Sequence, residues 1–176
     1  MTTNEVSILI VDDCKDTAKM LSSLLNYSLK IEHVCHTAES VDEAIQYLDS
    51  YFFHLVITDI EMPKMTGIEL CQKIYQEQPD TPVMIVSGKT DIQYAIAAMR
   101  SGAFDYILKP IQVQEFLGSV TRALEYQEAL MKKQFYAQSL EEEFHNYFEL
   151  NAQLRSARKF TSPIESHELR LHAGVK

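Results

Sequence analysis

Five short apolar runs, each followed by a stretch with helical spacing, are the feature that most limits how this chain can fold. The runs are rich in β-branched residues and lie at about residues 6–11, 31–36, 53–58, 82–87 and 104–108. Runs of this length and composition are typical of buried strands. The stretches between them repeat apolar residues every three or four positions, which predicts amphipathic helices with those residues toward the sheet. Examples are Ala18, Leu21 and Leu25 in the first stretch and Ile92, Ala95, Ile96 and Met99 in the fourth. This alternation predicts an α/β fold with a doubly wound parallel sheet and helices on both faces.

Polar residues follow the C-terminal ends of four of these runs. Asp12 and Asp13 follow the first run, Asp59 the third, Ser87 the fourth and Lys109 the fifth. The carboxyl ends of parallel strands open on one edge of the sheet, where such folds place their sites, so we expect these side chains to lie together. Each residue alone has a simpler interpretation as a helix cap or turn residue. Their joint occurrence at four strand ends favours a functional site.

Composition excludes several classes of protein. The chain is 46% apolar, which is enough to form a core, yet no apolar stretch approaches the roughly 18 to 20 residues of a membrane span. The N-terminus lacks the basic and apolar regions of a signal peptide, and the three cysteines lack metal-ligand spacing. A net charge of −9 argues against nucleic-acid binding through bulk electrostatics. We therefore expect a cytoplasmic protein that binds neither nucleic acid nor membrane.

The ordered set of motifs resembles the receiver domain of two-component response regulators. The resemblance covers roughly residues 5–126, and beyond the strand-end residues it includes Met62-Pro63-x-Met65-x-Gly67 and Gly102-Ala103-x-Asp105-Tyr106-x-x-Lys109-Pro110. It implies a flavodoxin-like (βα)5 fold with strand order 2-1-3-4-5 and a receiver domain at 1–126. It also implies a signalling domain rather than an enzyme. Its phosphoryl donor would be a sensor histidine kinase or a histidine phosphotransfer protein.

The chemistry of the site follows from its residue types. The Asp59 carboxylate would attack the phosphorus of a donor phosphohistidine, and neighbouring carboxylates would raise at least one pKa by repulsion. A Mg²⁺ ion would remove that repulsion, and the carboxylate ligands available to it are Asp12, Asp13 and Asp59. By the resemblance, the backbone carbonyl of Glu61 would be a further ligand. Lys109 would neutralise the phosphoryl oxygens and Ser87 would donate a hydrogen bond to them.

The resemblance implies two further pairs of residues. Glu61 and Lys89 each lie two residues beyond a site residue, at positions that flank the path of attacking water in that family. We hypothesise that their side chains pair across the cleft and slow hydrolysis of the acyl phosphate. The alternative is two exposed side chains whose interaction is below about 1 kcal/mol. Ser87 and Tyr106 match the switch residues of the family, so phosphorylation would alter the face at 91–124. The simpler alternative makes Tyr106 only a half-buried strand residue.

The chain continues beyond the usual end of a receiver domain. No glycine or proline lies between Ser119 and Ser162, so the fifth helix can include a helical extension at 127–161. A heptad spacing typical of a coiled coil is formed by Ala137, Leu140, Phe144, Tyr147, Asn151 and Leu154. This seam is out of phase with the one that would pack on the sheet, at Val113, Leu117, Val120 and Leu124, so we expect a break in the helix near 131–135. A polar tail at 162–176 follows.

The aromatic residues of the extension require a partner, which would be a second copy, the receiver itself or another, downstream effector protein. With a second copy the chain is a homodimer and a complete signalling protein whose output is phosphorylation-controlled docking or dimerisation. Alternatively, the chain is the input half of a longer enzyme, with the helix as a signalling stalk before a cyclic-dinucleotide cyclase, a phosphodiesterase or a phosphatase. A third interpretation is a shuttle that passes phosphate to a phosphotransfer protein.

Overall fold

The computed structural model of the protein describes residues 5–160, with side chains as far as residue 156. The chain divides into two compact units, Met1–Met131 and Lys132–Lys176, which we call the first and second units. The predicted polar tail at 162–176 and residue 161 of the predicted extension lie outside the described residues. In chain order the elements are β1 (Val6–Val11), α1 (Lys15–Ser28), β2 (His33–Ala38), α2 (Val41–Ser50), β3 (Leu55–Thr58), α3 (Gly67–Glu77), β4 (Val83–Ser87), α4 (Ile92–Arg100), β5 (Asp105–Leu108) and α5 (Val113–Phe160).

Five parallel strands form one sheet in the order β2-β1-β3-β4-β5, so the predicted flavodoxin-like fold and strand order are confirmed. All residues of β3 and β4 are buried, because helices cover both faces of the sheet. Side chains that point to either face therefore enter a core, which is why these strands are nearly continuous apolar runs. The register pairs Val11 with Thr58 and Thr58 with Ile85. Asp12 and Asp59 directly follow two of these paired residues, so the register places them side by side.

The core has two halves, one on each face of the sheet. On one face, α1 and α5 pack through residues such as Leu21, Leu25 and Phe116, all of which are fully buried. On the other face, α2 and α3 pack through residues such as Ala44 and Leu70. With Ala98 of α4 also in this second half, two helices cover one face and three the other, as in a doubly wound sheet whose parallel crossovers return over the sheet.

Two local predictions differ from the structure. The second strand was expected at 31–36 but forms at His33–Ala38, because pairing with β1 begins where His33 meets Val6. In α4 the apolar residues at helical spacing are not the buried ones: Ile92 is 67% exposed, and Ala98 alone among the residues of this helix is buried. Because β5 is the edge strand, α4 has little sheet to cover.

The fifth helix is continuous from Val113 to Phe160, so the predicted break near 131–135 is wrong. The last buried residue in the described part of this helix is Gln127, and the change of seam follows the end of core packing rather than a distortion. From Ser119 to Phe160 the helix contains no glycine or proline, which are the usual residues at a sharp kink. Within 5–160 no helix is apolar enough over a sufficient length to cross a membrane.

A glycine permits the loop after β3 to close on the strand it leaves. Gly67 opens α3 after the N-cap Thr66, whose hydroxyl accepts a hydrogen bond from the backbone of Glu69 in a capping box. The Gly67 amide donates to the Ile60 carbonyl at 3.1 Å. A Cβ atom on Gly67 would lie 1.8 Å from the carbonyl oxygen of Asp59. Any side chain at this position therefore displaces the backbone of Asp59.

We expect Gly67→Ala to lower the free energy of unfolding by at least about 2 kcal/mol, because backbone must move to admit the methyl group. Gly118→Ala is the matched control, since a Cβ there meets its nearest atom at 3.6 Å in the interior of α5. That substitution should raise stability by up to about 1 kcal/mol through helix propensity. Urea unfolding of both variants measures the difference. A Gly67→Ala protein as stable as wild type would contradict the proposed close approach.

Candidate functional site

The structure brings together four of the residues singled out at the strand ends. Asp12, Asp13 and Asp59 each offer a carboxylate oxygen, and these three atoms lie within 4.8 Å of one another. Asp12 is buried, Asp59 is partly buried and Asp13 is exposed. The Lys109 ammonium lies 3.2 Å from Asp12 Oδ2 and 3.5 Å from Asp59 Oδ2. One cation therefore lies between two of three clustered carboxylates.

Backbone amides fix the orientation of both carboxylates that face Lys109. The Cys14 amide donates to Asp12 Oδ1 at 2.9 Å, and the Ile60 amide donates to Asp59 Oδ1 at 2.9 Å. In each carboxylate one oxygen is thus held by the backbone while the other faces the ammonium. This arrangement leaves Asp59 Oδ2 held by a mobile side chain rather than by the backbone.

Burial raises the pKa of Asp59 above its ordinary value of 3.8. Lys109 and the Ile60 amide oppose that rise, while the charge of Asp12 adds to it. The predicted repulsion between carboxylates is therefore present, but desolvation is the larger cause. Three carboxylates against one ammonium leave the site short of positive charge at neutral pH.

The donor set fits a hard divalent cation. Mg²⁺ prefers oxygen ligands and binds through one or two carboxylates and waters, and the cluster at Asp12, Asp13 and Asp59 supplies such oxygens. The side chain of Glu61, by contrast, is directed to Lys89 and not to the cluster. The backbone carbonyl of Glu61, which the resemblance implies as a ligand, therefore stays the candidate ligand atom of this residue.

Ser87 and Tyr106 both contact the backbone of Lys89. The Ser87 hydroxyl is fully buried and accepts a hydrogen bond from the Lys89 amide at 3.1 Å. The Tyr106 hydroxyl donates to the Lys89 carbonyl at 2.8 Å, and burial raises the pKa of this phenol. The two predicted switch residues are therefore joined through one peptide segment.

The side chains of Glu61 and Lys89 form an ion pair. Lys89 Nζ lies 2.6 Å from Glu61 Oε1, and both side chains are about a third or more exposed, at 34% and 59% respectively. The same ammonium lies 5.6 Å from the ring centroid of Tyr94, within the range of a cation–π contact. Sequence reasoning missed Tyr94; its signal was an aromatic residue in the first turn of the helix that follows Lys89.

Asp105 links β5 to α5. In the sequence it stood out only as one residue of the motif that ends at Lys109-Pro110, with no role of its own. Its carboxylate accepts hydrogen bonds from the hydroxyl of Ser119, from Arg122 at 2.9 Å and from the amide of Tyr106 at 2.8 Å. Ser119 is fully buried, so this contact lies inside the packed face of α5. The backbone of the predicted switch residue is thereby connected to the fifth helix.

We expect Asp59→Asn to raise the melting temperature at pH 7 without divalent cations. The folded-state pKa of Asp59 is raised, so its protonated form favours folding, and that contribution is lost as pH rises through the folded-state pKa. The difference in melting temperature between Asp59→Asn and wild type should therefore become smaller as the pH falls toward 3.8. Thermal unfolding across this pH range measures it, and the exposed Asp49→Asn is the control.

Added Mg²⁺ should narrow the difference in melting temperature between Asp59→Asn and wild type at pH 7, because an ion that binds the folded wild type stabilises it. A lower melting temperature for Asp59→Asn at neutral pH without divalent cations would contradict the destabilising effect assigned to the ionised carboxylate.

Residues 8–121 match the family described as the response regulator receiver domain. The chain is 33% identical over 126 residues to the C4-dicarboxylate transport transcriptional regulatory protein DctD of Rhizobium meliloti, covering 72% of this chain and 27% of that protein. It is 34% identical over 123 residues to the response regulator ArlR of Staphylococcus aureus, covering 68% of this chain and 53% of ArlR. The chain thus spans from about a quarter to about half the length of these curated relatives.

Solved structures give the same relationship. The signal receiver domain of an HD domain-containing protein from Pseudomonas fluorescens superposes with a TM-score of 0.69 at 29% identity, covering 75% of this chain and 96% of that one. A response regulator receiver domain protein from Clostridium thermocellum gives 0.65 at 29% identity, covering 71% and 98%. The beryllofluoride-activated DrrB receiver domain gives 0.62 at 28% identity, covering 69% and 98%. The chain belongs to the receiver domain family of two-component response regulators.

Proposed function

We propose that this protein is a cytoplasmic phosphoacceptor that receives a phosphoryl group on Asp59 from a sensor histidine kinase or a histidine phosphotransfer protein. The observation that carries the proposal is the cluster of three carboxylates bordered by the Lys109 ammonium at the carboxyl edge of the sheet. Mg²⁺ bound by Asp12, Asp13, Asp59 and the Glu61 carbonyl would neutralise charge there. As predicted from the sequence, we propose neither nucleic acid nor a membrane as a partner.

In the transfer step, a carboxylate oxygen of Asp59 forms a bond to phosphorus while the phosphorus–nitrogen bond of the donor phosphohistidine breaks. The donor imidazole leaves with the electron pair of that bond. The Lys109 ammonium lies within 3.5 Å of both Asp59 and Asp12. Because the lysine stem is flexible, this ammonium can move to contact the phosphoryl oxygens once they are bound to Asp59. The chain thus contributes positioning and charge neutralisation, which are what phosphoryl transfer mainly needs.

The change at Asp59 is read out through Ser87 and Tyr106. A phosphoryl group adds a charge of about −1.5 to −2 and three acceptor oxygens. If the Ser87 hydroxyl turns toward it, the Lys89 amide loses its present acceptor, and the segment that Tyr106 also holds must move. The altered face, 91–124, carries exposed apolar residues in α4, which supports a role in docking.

We further propose a receiver domain at 1–126, with the helical extension at 127–161 mediating homodimerisation. Phe135, Phe144 and Tyr147 are each more than half exposed, and one helix offers nothing to bury them against. A downstream effector that docks on this helix is the competing occupant.

A second candidate function is the input part of a longer protein, with the helix as a signalling stalk. It is favoured by the lengths of the relatives, since this chain spans only 27% of DctD and 53% of ArlR. It is also favoured by the solved receiver domain of an HD domain-containing protein. In that case the output belongs to a domain of enzymatic activity, such as a cyclic-dinucleotide cyclase, a phosphodiesterase or a phosphatase.

Size-exclusion chromatography with light scattering, with and without Mg²⁺ and beryllofluoride, tests the proposal on wild type and Asp59→Ala. Beryllofluoride mimics a phosphoryl group on aspartate, so we expect a change in mass or in thermal stability that the variant lacks, while the exposed Asp49→Ala control responds like wild type. No response that depends on Asp59 would contradict the phosphoacceptor role. A mass change identifies helical assembly as the output. A constant dimer favours the stalk, and a constant monomer contradicts homodimerisation.

We expect Glu61→Ala to accelerate loss of phosphate from Asp59 about twofold to fivefold, because an exposed ion pair that screens the acyl phosphate has only a modest effect. Radiolabelled protein, phosphorylated and then freed of donor, gives the rate directly. Glu77→Ala is the matched control, since Glu77 also pairs with a lysine, Lys73, at 2.5 Å. An unchanged rate in Glu61→Ala would remove the pair from the mechanism.

A further inference from the structure

The apolar side chains of the second unit extend beyond the heptad seam. Leu140, Phe144 and Leu154 lie on the seam and are each more than half exposed. Phe148 and Leu150 lie beside the seam and are 67% and 56% exposed. A two-stranded coiled coil covers mainly its seam, so the partner helix must also reach these flanking residues.

Charge on this helix is arranged in blocks. Lys132 and Lys133 form a basic block, Glu141, Glu142 and Glu143 form an acidic block, and Arg155 is again basic. In a parallel dimer in register, Glu141 and Arg155, which flank the seam, would lie beside Tyr136 and Leu150 of the second copy and would gain no oppositely charged partner. A partner helix that runs in the opposite direction can instead bring Glu141 and Arg155 together.

Among antiparallel registers that set the two seams against each other, one pairs opposite charges. It places Phe144 opposite Leu154 and Tyr147 opposite Asn151, with each residue contributed once by each chain. Glu141 then flanks the seam opposite Arg155 of the second copy. A shift of one heptad toward the N-terminus places Glu141 opposite Phe148 of the second copy and removes this ion pair. A further shift of one heptad places Glu141 opposite Glu141 of the second copy, where the like charges repel.

The same register accounts for the flanking apolar residues. Phe148 of one chain lies opposite Phe148 of the other, and Leu150 lies opposite Leu150, so both exposed side chains gain an apolar neighbour. Asn151, whose side-chain amide donates to the Tyr147 carbonyl of its own helix at 2.9 Å, faces the Tyr147 phenol of the second chain. A polar residue on the seam thus meets a polar group, as the specification of a single register requires.

We propose that the second unit binds a second copy of this chain as an antiparallel helical pair that crosses near residue 149, with Glu141 paired to Arg155 across the interface. The inference rests on the homodimerisation part of the proposed function and is independent of phosphorylation at Asp59.

Charge reversal in the full chain tests the pairing. Glu141→Arg and Arg155→Glu should each weaken the dimer about fivefold or more in dissociation constant, because each change places two like-charged pairs in the interface. The double variant should restore the wild-type constant to within about twofold, since both pairs are re-formed with the charges exchanged. Glu142→Arg is the matched control: it lies one residue away on the outer face, and it should leave the constant unchanged. Sedimentation equilibrium gives the dissociation constants of the wild type and of the four variants.

Spin-label distances test the orientation in a variant without native cysteines. At a rise of about 1.5 Å per residue, labels at Ser139→Cys should lie about 30 Å apart along the helix axis, and labels at Ser156→Cys about 20 Å apart. A parallel pair would give equal, short distances at both positions.

Equal short spin-label distances at the two positions would overturn the antiparallel pairing while leaving a dimer in place. A double variant whose dissociation constant stays as weak as that of the single variants would do the same. A wild-type monomer at all concentrations would overturn both the pairing and homodimerisation. Neither result bears on the phosphoacceptor role, because the beryllofluoride response of Asp59 is measured separately.

Discussion

The contact of Lys109 with Asp12 and Asp59 is the interaction on which the site depends. The parallel register places the two carboxylates side by side, and burial makes their negative charge costly. A single ammonium at 3.2 and 3.5 Å offsets part of that cost. Because the compensation is incomplete, the site favours added positive charge of the kind a divalent cation would supply. The excess negative charge that destabilises the folded protein therefore favours cation binding, and a bound cation would in turn neutralise the charge of a phosphoryl group.

From this site a chain of hydrogen bonds reaches the fifth helix. Ser87 and Tyr106 hold the two ends of the Lys89 peptide segment, and the Tyr106 amide donates to Asp105. Asp105 in turn accepts hydrogen bonds from Ser119 and Arg122 of α5. Each link is short and all lie in the first unit, so a rearrangement at Ser87 has a physical route to that helix. Coupling along it requires two alternative arrangements of the same contacts.

The sequence predicted the sheet and the clustered site well, because both follow from periodicity and strand ends. Asp59 and Lys109 could be placed together before their contact was seen, since parallel strands open on one edge. Tyr94 could not, because its contact with Lys89 depends on how the loop before α4 turns. Ile92 also misled: its helical spacing was correct, but spacing alone does not reveal that an edge strand leaves the helix uncovered.

Magnitudes decide which contacts could drive the proposed switch. Moving a population from mostly one state to mostly the other requires about 5.5 kcal/mol of differential stabilisation. An exposed ion pair such as Glu61 with Lys89 is far too weak for this, so it can tune a rate but cannot select a state. Hydrogen bonds to a charged group contribute about 1.5–3 kcal/mol each. Two such bonds to the phosphoryl oxygens, from the buried Ser87 hydroxyl and the Lys109 ammonium, would contribute about 3–6 kcal/mol together, and the upper end of that range meets the requirement.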